Sequence, residues 1–362
     1  MESCIRMNNK MLAFITIDFP VLLLGLNFIL YNAVGIEDYK NIIRVIAFIF
    51  LLIGGFIRKK SITLLQLFSV LIIGIELLFQ GTFALNILAA FLFAWCTTNN
   101  FKELSLRIFK VDLLLIIIVF ILLATGLLDF KTYISGVRLR GTLGFINPNA
   151  GALFFTSLVY LFILSREDIS LWQIILSIIY SSVIYSITDS RTAFISACIF
   201  LLAIPLFKFS LFSYAFALFS KSIIIILWVG SAISILFINS FIGFDEILSF
   251  RISYFIELMN RADLINYLWG GTNFDNLTVD NFYYTLIFHY GIIFYCFMFY
   301  LVNRAINFCI KNRIFVVLDF LLSVCMMGLM ESSFIRPELI FALLVWKIIF
   351  DPECLKALKT GA

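Results

Sequence analysis

The sequence predicts an all-α polytopic membrane protein, and two observations carry this prediction. First, 63% of the 362 residues are hydrophobic and only 13% are charged, with a mean hydropathy of +1.08, whereas soluble domains are about 45–50% apolar. Second, apolar runs of roughly 17 to 25 residues, the length that crosses a bilayer core, fill nearly the whole chain. We therefore expect a single integral membrane domain over 1–362.

The apolar runs predict about twelve transmembrane helices, separated mostly by short polar connections. The first run follows Arg6 and Lys10 and ends in no small-residue cleavage site, so it is expected to be an uncleaved anchor. The expected spans are 11–31, 42–57, 61–79, 82–96, 111–128, 147–164, 171–187, 191–207, 222–238, 282–303, 314–330 and 337–350.

The distribution of positive charge predicts the orientation, because cytoplasmic loops retain lysine and arginine. With the N-terminus inside, most of the 26 lysines and arginines fall on the cytoplasmic side. Both termini are therefore predicted to be cytoplasmic. The basic residues left on the outer side are Lys40, Arg44, Lys131, Arg138, Arg140, Arg191, Arg251, Arg261 and Arg336.

Two outer segments, about 129–146 and 239–281, are longer than the other connections, and long loops among short ones are usually functional or disordered. In the second, apolar residues at three- and four-residue steps and the i,i+4 pair Glu257–Arg261 predict one or two amphipathic helices on the membrane surface. A last helix should begin near Asp280 and Asn281, both good N-cap types.

Several functional classes lack their signatures. The net charge of +4 is modest, and topology explains its cytoplasmic bias, so nucleic-acid binding is not expected. The cysteines have no metal-site spacing, and the chain lacks a Walker loop, HExxH and GxSxG. The outer loops also lack an Asp-x-Asp pair. We expect neither a metal nor a cofactor, so arginines would have to neutralise a bound diphosphate.

The outer cations are mostly arginines, and this residue type is informative. A guanidinium binds phosphate through a planar, often bidentate fork that lysine cannot reproduce. An outer cavity with several arginines therefore favours an anionic ligand such as a lipid pyrophosphate. Arginines at helix ends also anchor to headgroups by snorkelling, and this alternative stays open for each of them.

The stretch RLRGTLGFINPNAGA combines cations with a helix start. Asn147, Pro148 and Asn149 are expected to begin a helix, since proline is tolerated in a first turn. Arg138 and Arg140, two residues apart, would point the same way if the segment is extended. This arrangement predicts a helix N-terminus that faces two cations.

The short turn in TDSRTAFISA is a second helix start. Thr188, Asp189 or Ser190 could cap the helix, and Arg191 would project from its first turn. Free N–H groups at such a start favour anions. Capping alone explains the motif equally well.

The stretch DNFYYTLIFHYG is the third candidate. In a helix, Asp280, Tyr284 and Gly291 would share one face, with Asp280 at its top. His289, the only histidine, would point roughly the opposite way, and a lone histidine in an apolar run usually packs in the core. Asp280 could be a functional acid or simply an N-cap.

Acids inside the apolar runs support a different function. Asp18, Glu76 and Asp319 lie within predicted spans. Intramembrane carboxylates are functional candidates and could form a proton path. They are the best argument for a transporter.

Taken in order, RLRGTLGFINPNAGA, SRTA, SFRISYF, WGGTNF and DNFYYTLIFHYG resemble the family of O-antigen ligases and O-antigen or capsule polysaccharide polymerases. The resemblance covers about 136–291. It implies a GT-C-like glycosyltransferase that works without a metal on the outer side of the bacterial cytoplasmic membrane. It also implies an undecaprenyl-pyrophosphate-linked oligosaccharide as substrate, and a flippase and a chain-length regulator as partners.

The family's pyrophosphate-binding arginines map by motif onto Arg140, Arg191 and Arg251, while Arg138 and Arg261 are added from the sequence. Ligases of this family carry a histidine-asparagine pair where this chain has Asp280 and then asparagine, which favours a polymerase with Asp280 as catalytic base. The residues expected to shape the site are Asn147, Asn149, Asn281, Tyr284 and Gly291.

Two alternatives to the polymerase stay open. One is a ligase-like transferase that moves the glycan to another acceptor. The other is a flippase or transporter for lipid-linked oligosaccharide, which would be expected to show repeats and no large outer helical loop. The sequence has no clear repeat and does have the loop.

Overall fold

A computed structural model gives the architecture of the chain. It describes residues 11–36, 38–58, 63–80, 84–98, 100–135, 138–244, 251–272, 280–332 and 336–359. Within these residues the fold is almost entirely helical, with one antiparallel pair of short strands, β1 (Thr132–Ser135) and β2 (Arg138–Gly141).

Fourteen helices occur in the described part of the chain, apart from short 3₁₀ segments at Ile238–Phe244 and Pro352–Lys359. They are α1 (Met11–Val34), α2 (Lys40–Ile57), α3 (Leu64–Gln80), α4 (Ala84–Cys96), α5 (Phe101–Ala124), α6 (Pro148–Leu164), α7 (Leu171–Thr188), α8 (Arg191–Lys208), α9 (Ser210–Leu236), α10 (Arg251–Arg261), α11 (Leu264–Trp269), α12 (Phe282–Asn312), α13 (Phe315–Met327) and α14 (Ile340–Phe350).

Six of these helices, α1, α2, α7, α8, α9 and α12, are long and apolar enough to cross a bilayer. Five more, α3, α4, α6, α13 and α14, are apolar but shorter. Large apolar side chains such as Leu176, Leu211 and Leu236 are exposed on the long helices. Since a soluble protein would bury most of these side chains, the prediction of an α-helical membrane protein is confirmed at this level.

The centre of the bundle is α14, all of whose residues are buried. It packs against α4, α6 and α12. Lys347 within it is fully buried, and its Nζ donates hydrogen bonds to the Ala94 carbonyl oxygen at 2.6 Å and to Asp351 Oδ2 at 2.8 Å. A buried ammonium needs such partners, because an unpaired charge in this position would be strongly destabilising.

Two helices begin before their predicted starts. Instead of starting near 111, α5 starts at Phe101, directly after its N-cap Asn100, whose side chain accepts the Glu103 backbone N–H at 3.2 Å. This first part carries charged residues, so a search for apolar runs misses it. Similarly, α9 begins at Ser210, well before the predicted start at 222.

The two long segments both contain regular structure. The first holds the β1–β2 hairpin, which the sequence analysis did not predict. The second holds α10 and α11. On α10, Ile252, Phe255 and Leu258 are buried, and their spacing of three residues places them on one face.

Candidate functional site

Arg140 lies at the end of the hairpin and connects it to two helices. In β2 it is paired with Tyr133 of β1. Its Nε donates to the Thr188 carbonyl oxygen at 3.0 Å, and its Nη2 donates to Asn149 Oδ1. Thr188 is the last residue of α7, and Asn149 lies in the first turn of α6, where the Asn147 side chain accepts the Asn149 backbone N–H at 2.8 Å.

Close backbone approach explains two glycines of this stretch. A Cβ on Gly151 would lie 2.6 Å from the Thr142 carbonyl oxygen, and one on Gly141 would lie 3.0 Å from the Ile187 carbonyl oxygen. Both contacts involve backbone atoms that cannot rotate away. The hairpin can therefore lie against α6 and α7 only because these residues have no side chain.

Arg191 is brought near this arrangement by the turn between α7 and α8. Asp189 has a left-handed backbone with φ of 46° and ends α7, while Ser190 occupies the N-cap position of α8 without a side-chain capping bond. Arg191 is the first residue of α8, and its side chain is exposed. Since Arg140 binds the carbonyl of Thr188, it fixes the turn from which Arg191 projects.

The start of α12 is anchored to the segment that follows α13. Asn281 is the N-cap: its Oδ1 accepts the Tyr284 N–H at 3.0 Å, and its Nδ2 donates to the Leu329 carbonyl oxygen at 2.9 Å. The Phe282 N–H donates to the Gly328 carbonyl oxygen at 2.8 Å. Asp280 therefore precedes the helix and is not its N-cap.

Helix α10 is docked onto this same place. The Phe255 ring meets Tyr284 edge-on, with centroids 4.3 Å apart, and the Tyr284 hydroxyl is 2.7 Å from Ser234 Oγ of α9. Arg251, the first residue of α10, then reaches two groups. Its Nη2 lies 3.6 Å from Asp280 Oδ2, and its Nη1 lies 3.7 Å from Met330 Sδ.

Glu331, adjacent to Met330, belongs to this cluster and was not predicted. The residue is only 4% exposed, and its Oε1 has no hydrogen-bond partner among the described residues. The charges of Asp280, Arg251, Arg140 and Arg336 all act on it. We call Arg140, Arg251, Asp280, Glu331 and Arg336 the outer charge cluster, after the side of the membrane on which the charge distribution of the sequence predicts them.

Both acids of the outer charge cluster hold protons more tightly than exposed carboxyls do. Burial raises the pKa of Asp280 above its usual range, while the charges of Arg251 and Arg336 oppose the rise. Burial raises the pKa of Glu331 to about 8, with a further contribution from the negative charge of Asp280 and opposition from the arginines. At neutral pH Glu331 is therefore mostly protonated, and the cluster carries net positive charge.

A signal for Glu331 and Arg336 was present in the sequence. Both lie in ESSFIRPE, a polar interruption between two apolar runs that the charge distribution places on the outer side. Arg336 is exposed, and its guanidinium carbon lies 6.0 Å from the centroid of the Tyr31 ring. Attention to acids as well as arginines in the outer breaks would have selected both residues.

Gly291 breaks α12 and receives a neighbouring segment. It has φ of 76°, and a Cβ there would lie 2.3 Å from the Leu268 carbonyl oxygen. The carbonyl oxygens of Phe288 and His289 accept the N–H groups of Thr272 and Gly271 at 3.2 and 3.1 Å. The glycine thus allows the end of α11 and the chain after it to lie directly on α12.

Two predicted arginines are not joined to the cluster by the described contacts. Arg261 pairs with Glu257 on α10 and lies ten residues from Arg251, which is about 15 Å along a helix. Arg138 lies in β2 opposite Ser135, but its side chain is outside the described part of the structure. His289 is buried and precedes the kink in α12, in agreement with the packed position expected for it.

The acids inside the apolar runs differ in their surroundings. Asp18 Oδ2 lies 3.1 Å from Arg107 Nη1. Glu76 and Asp319 are buried, and neither carboxyl has a hydrogen-bond partner among the described residues. Within the described residues these acids form no continuous chain of hydrogen bonds.

No group of three or more histidine, cysteine, aspartate or glutamate side chains that could hold a metal ion occurs among the described residues. Comparison with known proteins adds no relative: no family model, curated protein or solved structure matches the chain.

Proposed function

We propose that the chain is a polysaccharide polymerase of the O-antigen, capsule or exopolysaccharide type. It would transfer a lipid-pyrophosphate-linked glycan onto a new lipid-linked repeat unit on the outer side of the bacterial cytoplasmic membrane. About twelve spans, a GT-C-like arrangement and cytoplasmic termini belong to this proposal. The observation that carries it is the outer charge cluster, in which Arg251 of the surface helix pairs with Asp280 at the start of α12.

The chemistry suits an acid and several arginines without a metal. The acceptor hydroxyl oxygen attacks the anomeric carbon of the donor sugar from the face opposite the pyrophosphate, and the bond from that carbon to the pyrophosphate oxygen breaks. The leaving lipid pyrophosphate takes the bonding electrons, and Asp280 takes the hydroxyl proton. The product has inverted anomeric configuration.

The charge cluster would assist both halves of this step. The arginines stabilise the negative charge that builds on the leaving pyrophosphate, an effect often worth several kcal/mol. General-base catalysis by a positioned carboxylate contributes about 10²–10⁴-fold. The Asp280 side chain is 32% exposed, so it can reach an incoming hydroxyl, whereas Glu331 is buried.

In this proposal Arg140 has a partly structural role, whereas the sequence analysis assigned it only to pyrophosphate binding. Its Nε and Nη2 bind Thr188 and Asn149, so part of its role is to hold the hairpin and the two helix ends together. The positive charge of Arg140 also acts on Glu331, where it favours the ionised carboxylate. It would support pyrophosphate binding both by charge and by fixing the turn before Arg191.

A lipid-linked oligosaccharide transporter is the second candidate, because Asp319 is fully buried with neither oxygen hydrogen-bonded among the described residues. A proton-coupled carrier uses such a carboxyl. A ligase-like transferase would use the same outer charge cluster with a different acceptor.

Deletion of the gene separates the three functions. Loss of a polymerase leaves single lipid-linked repeat units on the outer face of the membrane. Loss of a flippase leaves single units on the inner face, and loss of a ligase leaves full-length polymer on the lipid carrier. Either of the last two results would overturn the polymerase proposal.

A further inference from the structure

A basic pocket lies at the end of the bundle opposite to the outer charge cluster. It has a volume of about 350 Å³ and is formed by the start of α5, the connections from α6 to α7 and from α12 to α13, and the 3₁₀ segment Pro352–Lys359. The other end of α6 carries Asn149, which binds Arg140, and the other end of α12 follows Asp280. The 17 residues of α6 therefore separate the two sites by about 25 Å along the helix.

Three cations are among the described residues that line this basic pocket. They are Lys102 of α5, Arg166 after α6 and Arg313 after α12. Within the described structure, none of their side chains forms an ion pair or donates a hydrogen bond. Glu167 also lines the pocket, but the cations outnumber it. A concave site of this charge is complementary to a phosphate, which a guanidinium binds through its planar fork.

An apolar groove adjoins the basic pocket at Arg166. It has a volume of about 180 Å³ and is lined mainly by apolar side chains of α5, α6 and α7, among them Phe109 and Phe162. These two rings pack with their centroids 5.7 Å apart, and the guanidinium carbon of Arg166 lies 4.5 Å from the centroid of Phe162. Lys102 precedes Phe109 by seven residues, so the two share a face of α5 about 10 Å apart. The cations therefore lie at one end of the groove, and the apolar side chains follow along its length.

We infer that the basic pocket and the groove together bind one anionic glycerophospholipid. Its phosphate lies among Lys102, Arg166 and Arg313, and one acyl chain lies in the groove along Phe109 and Phe162. Basic pockets between transmembrane helices bind such headgroups in other membrane proteins. A zwitterionic lipid carries an ammonium group beside its phosphate, which the same cations repel, so the site selects a headgroup with net negative charge. In the proposed orientation this lipid belongs to the cytoplasmic leaflet.

The charge of the pocket is tested by titrating the purified protein in detergent with dioleoylphosphatidylglycerol and counting bound lipids by native mass spectrometry. Arg166→Gln combined with Arg313→Gln removes two exposed cations from the pocket. Lys208→Gln combined with Lys311→Gln is the matched control, because both lysines are exposed and neither lines the pocket. We expect the first pair to weaken lipid binding about 25-fold, since a basic side chain beside an anionic lipid is worth about fivefold. The control should bind as the wild type does.

The groove is tested by a variant that leaves every charge in place. Leu176 lines the groove and is 62% exposed, so Leu176→Trp fills part of the groove without disturbing the core. Ile179→Trp is the control, because Ile179 is exposed on the same helix and does not line the groove. Leu176→Trp should weaken phosphatidylglycerol binding about fourfold for each methylene that it displaces. Ile179→Trp should have no effect on it.

Measurements on the wild type cover the case in which a variant fails to fold. Phosphatidylglycerol with a diazirine in its acyl chain should label peptides that contain Phe109 or Phe162. Dioleoylphosphatidylcholine, which has the same chains, should bind more weakly, and equimolar inorganic phosphate should not displace phosphatidylglycerol.

Four results would overturn the inference: equal binding of the two lipids, an equal loss in both double variants, unchanged binding by Leu176→Trp, or labelling confined to other segments. Displacement of the lipid by equimolar inorganic phosphate would also overturn it and would indicate a site for a free anion. None of these measurements requires glycosyl transfer, so they stand whether or not the chain is a polymerase.

Discussion

Arg251 and Asp280 join helix α10 to the start of α12 across a distance of 3.6 Å between Nη2 and Oδ2. Both side chains are partly exposed, at 18% and 32%. An ion pair at this level of exposure contributes only about 0–1 kcal/mol to stability. The ion pair places the Arg251 guanidinium beside Asp280, the proposed base.

Asp280→Asn should remove the proton acceptor while keeping the size of the side chain. We expect a loss of transfer of about 10²–10⁴-fold, with the protein still present in the membrane. The measurement is the length distribution of polymer in cells that carry the variant as their only copy. Asp129→Asn is the matched control, because Asp129 is an exposed acid in the segment that holds the hairpin. A normal polymer ladder from Asp280→Asn would rule out its role as base.

Arg140→Ala should abolish long-chain product, and Arg140→Lys should not restore it. A lysine has one nitrogen and cannot reproduce the fork that binds Thr188 and Asn149 together. Lys131→Ala serves as the control, since it removes an exposed cation beside the same hairpin. If Arg140→Lys gives a normal ladder, charge alone is sufficient and the two hydrogen bonds are dispensable.

Gly291→Ala should loosen the packing of α11 on α12. The new Cβ would lie 2.3 Å from the Leu268 carbonyl oxygen, and alanine is strained at φ of 76°. We expect a destabilisation of about 1–3 kcal/mol, visible as a lower Tm in detergent. Gly230→Ala on α9 is the control, because nothing lies within 4 Å of its Cβ position. Equal Tm values for the two variants would contradict the kink described for α12.

The stability of the wild type should fall between about pH 4.5 and pH 8 because of Glu331. Its pKa in the folded protein is about 8, above the ordinary value of 4.5, so the folded state binds the proton more tightly. The resulting stabilisation is complete below 4.5 and is lost as the pH rises through about 8. Glu331→Gln should therefore gain Tm relative to the wild type over this range, with no further gain above it. A constant difference in Tm would show that Glu331 does not titrate in this way.

The apolar runs located twelve of the described helices, because each predicted span overlaps one of them, and the amphipathic pattern of the second long segment located α10 and α11. The helix start at Asn147 followed from local chemistry, and its side-chain cap is present. The charged first half of α5 and the β1–β2 hairpin were missed, since neither has an apolar run. Asn281, and not Asp280, caps α12, a choice that depends on the contact with Leu329.

The outer charge cluster was only partly predictable, because its contacts join segments that are distant in the sequence. Arg251 and Asp280 stood out by residue type, but their pairing depends on how Phe255 packs on Tyr284. The polar break ESSFIRPE marks Glu331 as a candidate in the sequence, but its burial depends on the turn after α13. Contacts between distant segments decide these features, and one sequence does not contain them explicitly.

The central claim is tested most directly with the purified protein in lipid vesicles, supplied with an undecaprenyl-pyrophosphate-linked repeat unit as both donor and acceptor in the presence of a metal chelator. We predict a ladder of longer lipid-linked glycans with inverted linkages and release of undecaprenyl pyrophosphate. Asp280→Asn should leave the repeat units unjoined. Unjoined units with the wild type, or an equal ladder from the variant, would contradict the account.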